Sequence, residues 1–461
     1  MKKAWQMERD LRDVAIPLDR RSHGSNWYTS SFEVPYGDAL LRMFWDSKVP
    51  GSGAPEIPYL EMVQAAYTKG LDTSAAMKLI PTGIELATSG QIDDLRVITA
   101  QILEALNHAP IDPNHPFHKY EHPATWEEVK AAMGKVLETP ISFDRTELPE
   151  RIYQGWLGQL AGGSFGTAIE GYTGAQITKV YGDIRGYITP PETTNDDVVY
   201  ELVLLDVFER LGRKLTSRDL GLEWVKQIPF GWSAEWVALR NLNQGILPPE
   251  SGSFQNPYSN WIGAQMRGMI CGMLAPGWPM EAARLAFIDG VISHENNGIY
   301  GEIYAAVLTS LAFVRSDPRR ILVEAAEYVP QQSLYASVVH DCLDVVAKTT
   351  IPATAWKTLE KHYQEYNWID AHPNIAAVIY SLWYSHNDMT ECFSLLAKAG
   401  LDVDCNGGLA GNVLGVIQPV PEAWATPLGD LLETYLKGKE KLSIKELATL
   451  TTRLAVLPML Q

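Results

Sequence analysis

Cysteine is scarce in this chain. Its four residues, Cys271, Cys342, Cys392 and Cys405, are dispersed with no Cys-x-x-Cys pair, which argues against a disulfide framework and against a thiolate zinc site. Positive charge is also short. The chain carries 38 Lys and Arg against 55 Asp and Glu, a formal net charge of −17 over 461 residues. Acidic protein surface repels phosphate unless a cation intervenes, so a basic nucleic-acid clamp is not expected. No apolar run approaches the roughly 18 uncharged residues of a membrane span. The first ten residues carry charge with no apolar stretch behind them, unlike a signal peptide. These absences lead to the expectation of a cytoplasmic protein in a reducing compartment, with no membrane and no nucleic-acid partner.

Strand-like alternation is scarce too, and no solenoid-type repeat is present. What is present is helical periodicity. Residues 57–69 open with Pro58 in a first-turn position and continue with Leu60, Val63 and Tyr67. Residues 92–107 repeat the pattern. Thr125 and Glu128 form a capping-box signature that predicts a helix over 126–138. Further helices are expected at 318–328 after Asp317-Pro318, at 388–399 before Gly400, and at 442–456. The composition, 46% hydrophobic and 20% charged, is that of a folded protein. The expected fold class is therefore all-α.

Residues 108–123 break the pattern with four prolines and with His108, His115, His118 and His122. Such proline density stops a helix and suits a surface connection, so His115, His118 and His122 are read as loop residues rather than metal ligands. A second change falls at 140–149, before a Gly-rich helix. It divides the chain into an N-terminal helical region (1–147), a larger helical domain (148–440) and a C-terminal helix (441–461).

Two acidic clusters stand at helix starts. Thr193-Thr194-Asn195-Asp196-Asp197 precedes an apolar helix, and Gly400-Leu401-Asp402-Val403-Asp404-Cys405-Asn406 precedes a Gly-rich one. Helix N-termini favour acids, so capping is the plain reading of each cluster alone. A cap needs one oxygen, however, and each cluster offers several. If the clusters face each other, four carboxylates in a small volume repel unless a divalent cation neutralises them. Oxygen ligation selects hard ions, Mg²⁺ first and Ca²⁺ or Mn²⁺ second. A third segment, Gly158 to Gly171, packs small residues around Glu170.

Taken in order, these segments resemble the ADP-ribosylglycohydrolase family. Gly162–Glu170 is similar to its GDALGxPxE-type motif, Asn195–Val198 to its TDDT-like segment and Gly400–Asn406 to its GxDTDxN-like segment. Trp261–Gly268 resembles its Gly/Met-Arg substrate-loop helix and Ser293–Gly298 its Thr-His segment. The resemblance covers about 150–437, leaving the first 145 residues unexplained. It implies an all-α orthogonal bundle with a magnesium centre of one or two ions, the N-terminal region being an addition. The implied ligands are Asn195, Asp196, Asp197, Asp402, Asp404 and Cys405. Gly163 stands where the family has Asp, Asn195 and Cys405 where it has Thr, and Val198 where it has a hydroxyl.

The implied chemistry is hydrolysis of an N- or O-glycosidic bond to a ribosyl-like group on a small molecule or an ADP-ribosylated protein. Glu170, Asp196 and Asp404 are the expected catalytic residues, and Tyr258, Trp261, Arg267 and His294 the expected substrate contacts. Two alternatives stand beside this reading. One is a hydrolase of small nucleosides, ribosides or other sugars, including a metal-free carbohydrase that uses some of the 14 Trp and 20 Tyr as sugar platforms. The other is a catalytically silent ligand-binding protein on the same fold.

Overall fold

Glycine spacing decides the centre of the molecule, which is a computed structural model describing residues 2–22 and 37–457. Gly158, Gly162 and Gly166 recur every fourth residue along the helix Leu148–Gly166, and so share one face. Gly407, Gly411 and Gly415 do the same along Val403–Ile417. The two faces meet backbone to backbone. A Cβ on Gly162 would lie 1.9 Å from the Gly407 carbonyl oxygen, and one on Gly158 would lie 2.0 Å from that of Gly411. Neither helix tolerates a side chain at this contact.

Other helices wrap this pair. Asn297–Ala312 is buried along its whole length, as expected of a helix that is apolar all round. Ile444–Ala455 lies against the first central helix, where Trp156 Nε1 donates to Thr451 Oγ1 at 3.1 Å. Among the described residues, strand is limited to two short antiparallel ribbons, Ser47–Lys48 with Pro55–Glu56 and Leu432–Glu433 with Lys441–Leu442. The fold is all-α. No helix of the described residues is long and apolar enough to cross a membrane.

The helices Ala4–Asp13, Asp38–Trp45, Pro58–Thr68, Ser74–Ser89 and Ile92–Asn107 build a smaller core around Trp45, Leu60, Val63, Ile80, Leu95 and Ile102. They are also fastened to the rest of the molecule. Met62 and Ala65 pack with Val237, Tyr258 and Trp261, and Lys69 Nζ donates to Ser259 Oγ at 2.7 Å.

Local signals place most helix ends where expected: Pro58–Thr68, Ile92–Asn107 and Met389–Ala399, the last closed by Gly400 at φ 74°. The helix predicted over 126–138 is shorter. Its capping box forms, with Glu128 N donating to Thr125 Oγ1 and Thr125 N to Glu128 Oε2. It then stops at Ala131. Beyond that point the backbone bonds to a distant segment: Gly134 N to Glu327 O at 2.8 Å, Lys135 N to Glu327 Oε2 at 2.7 Å and Leu137 N to the Tyr328 hydroxyl at 3.0 Å. Tertiary partners displace the helical ones. The histidines of 108–123 make separate contacts, His115 capping Phe117, His118 bonding the Gly70 carbonyl and His122 stacking 4.2 Å from Phe117.

Candidate metal centre and substrate pocket

The close approach of the two central helices brings the end of one to the start of the other. A Cβ on Gly166 would lie 2.1 Å from the Asp404 amide nitrogen. The turn after Gly166 then pairs with the segment before Val403, Gly171 N donating to Leu401 O at 2.9 Å and Leu401 N to Tyr172 O at 3.1 Å. This pairing needs left-handed backbone at Gly400 (φ 74°) and Leu401 (φ 70°). It sets Glu170 beside Asp402 and Asp404. Asn374 fixes the acidic turn by accepting from Asp402 N at 3.2 Å and Asn406 Nδ2 at 2.7 Å.

The second acidic cluster arrives from the start of Asp197–Leu211. Asp196 stands at the N-cap position yet makes no side-chain capping bond, so capping does not account for it. Asp197 Oδ1 accepts from the Cys405 thiol at 3.3 Å, which joins the two clusters. Ligand-capable atoms of Asp402, Asp404 and Cys405 lie within 4.8 Å of one another. Gly163, where the family has Asp, also has a local explanation, because a Cβ there would lie 2.9 Å from Asn195 Nδ2.

Burial pushes all five carboxyl groups upward, and their neighbours add to it. Asp196 rises to about 7 through burial and the charge of Asp404. Glu170, Asp197 and Asp404 are held well above the ordinary carboxylate range, by burial first and adjacent carboxylates second. Asp402 is raised by burial. Five such groups cannot all ionise together without a compensating cation. Thr194 Oγ1 and Asn195 Oδ1 are buried beside them with no hydrogen-bond partner. Carboxylate, amide and hydroxyl oxygens make a donor set suited to a hard divalent ion, so the residues present fit Mg²⁺, Ca²⁺ or Mn²⁺.

Glu170, Asp196, Asp402, Asp404 and Cys405 open onto a cavity of about 130 Å³. Its other walls are aromatic (Phe44, Trp232, Trp236, Tyr258, Trp261 and Trp368) and acidic (Glu56, Glu61 and Glu235). Tyr258 and Trp261, expected at the substrate, are on the wall with ring centroids 4.5 Å apart. Asn195 and Asp197 stand behind it.

Arg267 and His294 differ from expectation, since both lie behind Glu235 and off the wall. Arg267 is 1% exposed. It donates to Glu235 Oε1 and Gly263 O at 2.8 Å, pairs with Asp289, and sits 5.0 Å from the Trp224 ring. A guanidinium with two buried carboxylates is held where it stands. His294 Nδ1 meets Ser293 Oγ at 2.7 Å, and burial depresses its pKa well below the ordinary value, leaving it neutral.

Glu56, Glu61, Glu235, Phe44 and Trp368 escaped the sequence reading. Helix Pro58–Thr68 is buried on nearly every side, from Leu60 through Ala66, so no periodicity singles out Glu61. Arg12 holds it there, with Nη2 donating to Glu61 Oε1 at 3.0 Å and Nη1 to the Gly171 carbonyl at 2.7 Å. The N-terminal helices thereby tie into the turn that carries Glu170.

A family model described as ADP-ribosylglycohydrolase matches residues 144–455. A solved structure of an ADP-ribosylglycohydrolase-related protein complex is 18% identical, with a TM-score of 0.47, over 67% of this chain and 99% of its own. Among curated proteins none matches the sequence.

Proposed function

The chain belongs to the ADP-ribosylglycohydrolase family, and on that premise we propose that it is a divalent-metal-dependent hydrolase cleaving the glycosidic bond of an ADP-ribosylated or other ribosylated substrate. The observation that carries this reading is the gathering of five carboxylates from three separate segments, four of them on the wall of one cavity and Asp197 behind it. Asp402 caps its helix by accepting from Cys405 N, but a cap needs one oxygen, and the desolvation and repulsion that the whole cluster costs are explained by a cation-binding role.

In this reading Asp196, Asp197, Asp402 and Asp404, with Asn195, hold Mg²⁺. Bound there, the ion supplies the positive charge that grips a sugar diol and offsets the acids. Glu170 takes the proton of the water that attacks the anomeric carbon, and Asp196 and Asp404 orient that water. General-base help of this kind is worth about 10²–10⁴-fold. Tyr258 and Trp261 support the flat face of the sugar or its base. Cys405, whose thiol burial keeps protonated, fixes Asp197 by donating to it. Arg267 acts through Glu235, and His294 stands against both.

The test is release of free sugar from a panel of ADP-ribosyl conjugates, nucleosides and simple ribosides, before and after chelation. Activity is expected to vanish on metal removal and to return with Mg²⁺. An unchanged rate in the chelated protein overturns the reading.

A further inference from the structure

The charge of the cavity is lopsided. Seven carboxylates line it, from Glu56, Glu61, Glu170, Asp196, Glu235, Asp402 and Asp404, and among the described residues no Lys, Arg or His does. The nearest guanidinium groups stand one layer back and are already engaged. Arg12 pairs with Glu8 and Glu61, and Arg267 with Glu235 and Asp289. Lys48, nearby, is exposed and pairs with Asp46. The helix Ser233–Asn243 opens beside the cavity, and its first turn places the Glu235 carboxylate there. A phosphate or diphosphate would meet carboxylates on these walls and no cationic side chain.

A divalent ion at the five-carboxylate centre leaves Glu56 and Glu61 beside Arg12, which pairs with Glu8 and Glu61. Burial holds both carboxyls above the ordinary carboxylate range, and a cation arriving between them favours their ionised form. Glu56 and Glu61 share their cavity with Phe44, Trp232, Trp236 and Trp368. Carboxylates combined with indole faces form the environment that attracts an organic cation. A further group points to a ligand: Trp261, on the cavity wall and 2% exposed, has an indole Nε1 with no hydrogen-bond partner. It is a free donor for a neutral oxygen such as a sugar hydroxyl.

We propose that the pocket takes a phosphate-free glycoside whose leaving group is a flat aromatic cation, seated between Glu56, Glu61 and the indoles of Trp232, Trp236 and Trp368. This rests on the hydrolase reading above and names its substrate class. The water oxygen bonds to the anomeric carbon as the carbon–nitrogen bond breaks. The electron pair leaves with the ring nitrogen, which neutralises the aglycone. One water proton passes to Glu170 and on to solvent. Because the leaving group departs uncharged, it requires no proton donor.

The test compares four probes on the Mg²⁺-loaded full chain: nicotinamide riboside, its 5′-phosphate nicotinamide mononucleotide, the uncharged nucleoside inosine, and ADP-ribosyl-arginine. The kcat/KM for the riboside is expected to exceed each of the others by about tenfold or more. Glu56→Gln, with folding checked by circular dichroism, should shrink the riboside-to-inosine ratio by about fivefold. Preference for the mononucleotide or for ADP-ribosyl-arginine overturns the proposal, as does an unchanged ratio in Glu56→Gln. If no probe releases sugar with any divalent ion, the hydrolase reading fails instead. Quenching of indole fluorescence then decides the pocket assignment alone: tighter binding of the riboside than of the mononucleotide upholds it, and the reverse sinks it.

Discussion

Asp404 stands where the acidic turn meets Glu170, Asp196, Asp197 and Asp402, and its carboxyl is pushed up by burial and by Asp402. Replacing it by Asn removes one negative charge from a crowded volume, so Asp404→Asn should leave the metal-free protein at least as heat-stable as the parent. The same change should abolish the rise in Tm on adding Mg²⁺, an effect worth about 2.7 kcal/mol for a ligand at a hundred times its Kd. A fall in apo Tm together with an intact Mg²⁺ response would refute the assignment. Glu61 and Glu235 give a pH dependence away from the proposed ligands. Burial, with Glu56 and Glu8 nearby and Arg12 opposing, raises Glu61 to about 8, and burial raises Glu235 to about 7 against the pull of Arg267. Their contribution is whole below the ordinary carboxylate range near 4.5, where the unfolded chain is also protonated. As pH rises toward 7–8 the unfolded chain sheds protons that the folded chain retains, so stability falls, by up to about 1.4 kcal/mol per pH unit for each group. Thermal melts between pH 5 and 8 should show a declining Tm, shallower in Glu61→Gln. A rising Tm would contradict the account.

At the scale of the element, the contact between Leu148–Gly166 and Val403–Ile417 is the feature on which the site depends. Gly162→Ala puts a methyl against the Gly407 carbonyl oxygen, and backbone cannot yield as a side chain can. Overpacking of this kind should cost about 3 kcal/mol in urea unfolding. It should also weaken Mg²⁺ binding, because Asp404 rides on the displaced helix. Gly186→Ala, whose Cβ meets open space, is the control and should stay within about 0.5 kcal/mol of the parent. Equal effects at the two positions would mean that the glycine faces are not the constraint. The segment 126–138 shows where local signals end. Thr125 and Glu128 suffice to start a helix, but its length is settled by Glu327 and Tyr328.

For the whole molecule, the N-terminal helices matter as walls of the pocket. Arg12 links Glu8, Glu61 and the Gly171 carbonyl while lying 4.4 Å from the centroid of the Trp368 ring. Arg12→Met would leave two carboxylates buried without their cation, a change that typically costs about 3–5 kcal/mol. It should also raise KM by loosening the wall that carries Glu61. A variant as stable and active as the parent would show that the N-terminal region is incidental to the site.

The acidic sequence, poor in Lys and Arg and in long apolar runs, carries enough local information for its helices and their caps. The acids of the centre were legible because they sit in runs, Asp196 beside Asp197 and Asp402 two residues from Asp404, at helix starts marked by glycine, Asn and Thr. Adjacency in the chain survives folding. The remaining walls are assembled from residues about 40–61, 230–261 and 368, and nothing in any one of those segments announces the others. Arg267 shows the same limit, because an arginine expected at the substrate is buried behind the wall once Glu235 and Asp289 close around it. Which acids share one volume, and so whether charge becomes solubility or a binding site, is a matter of distance between segments remote in sequence. Only the packing of the glycine-faced helices and the docking of the N-terminal ones set those distances.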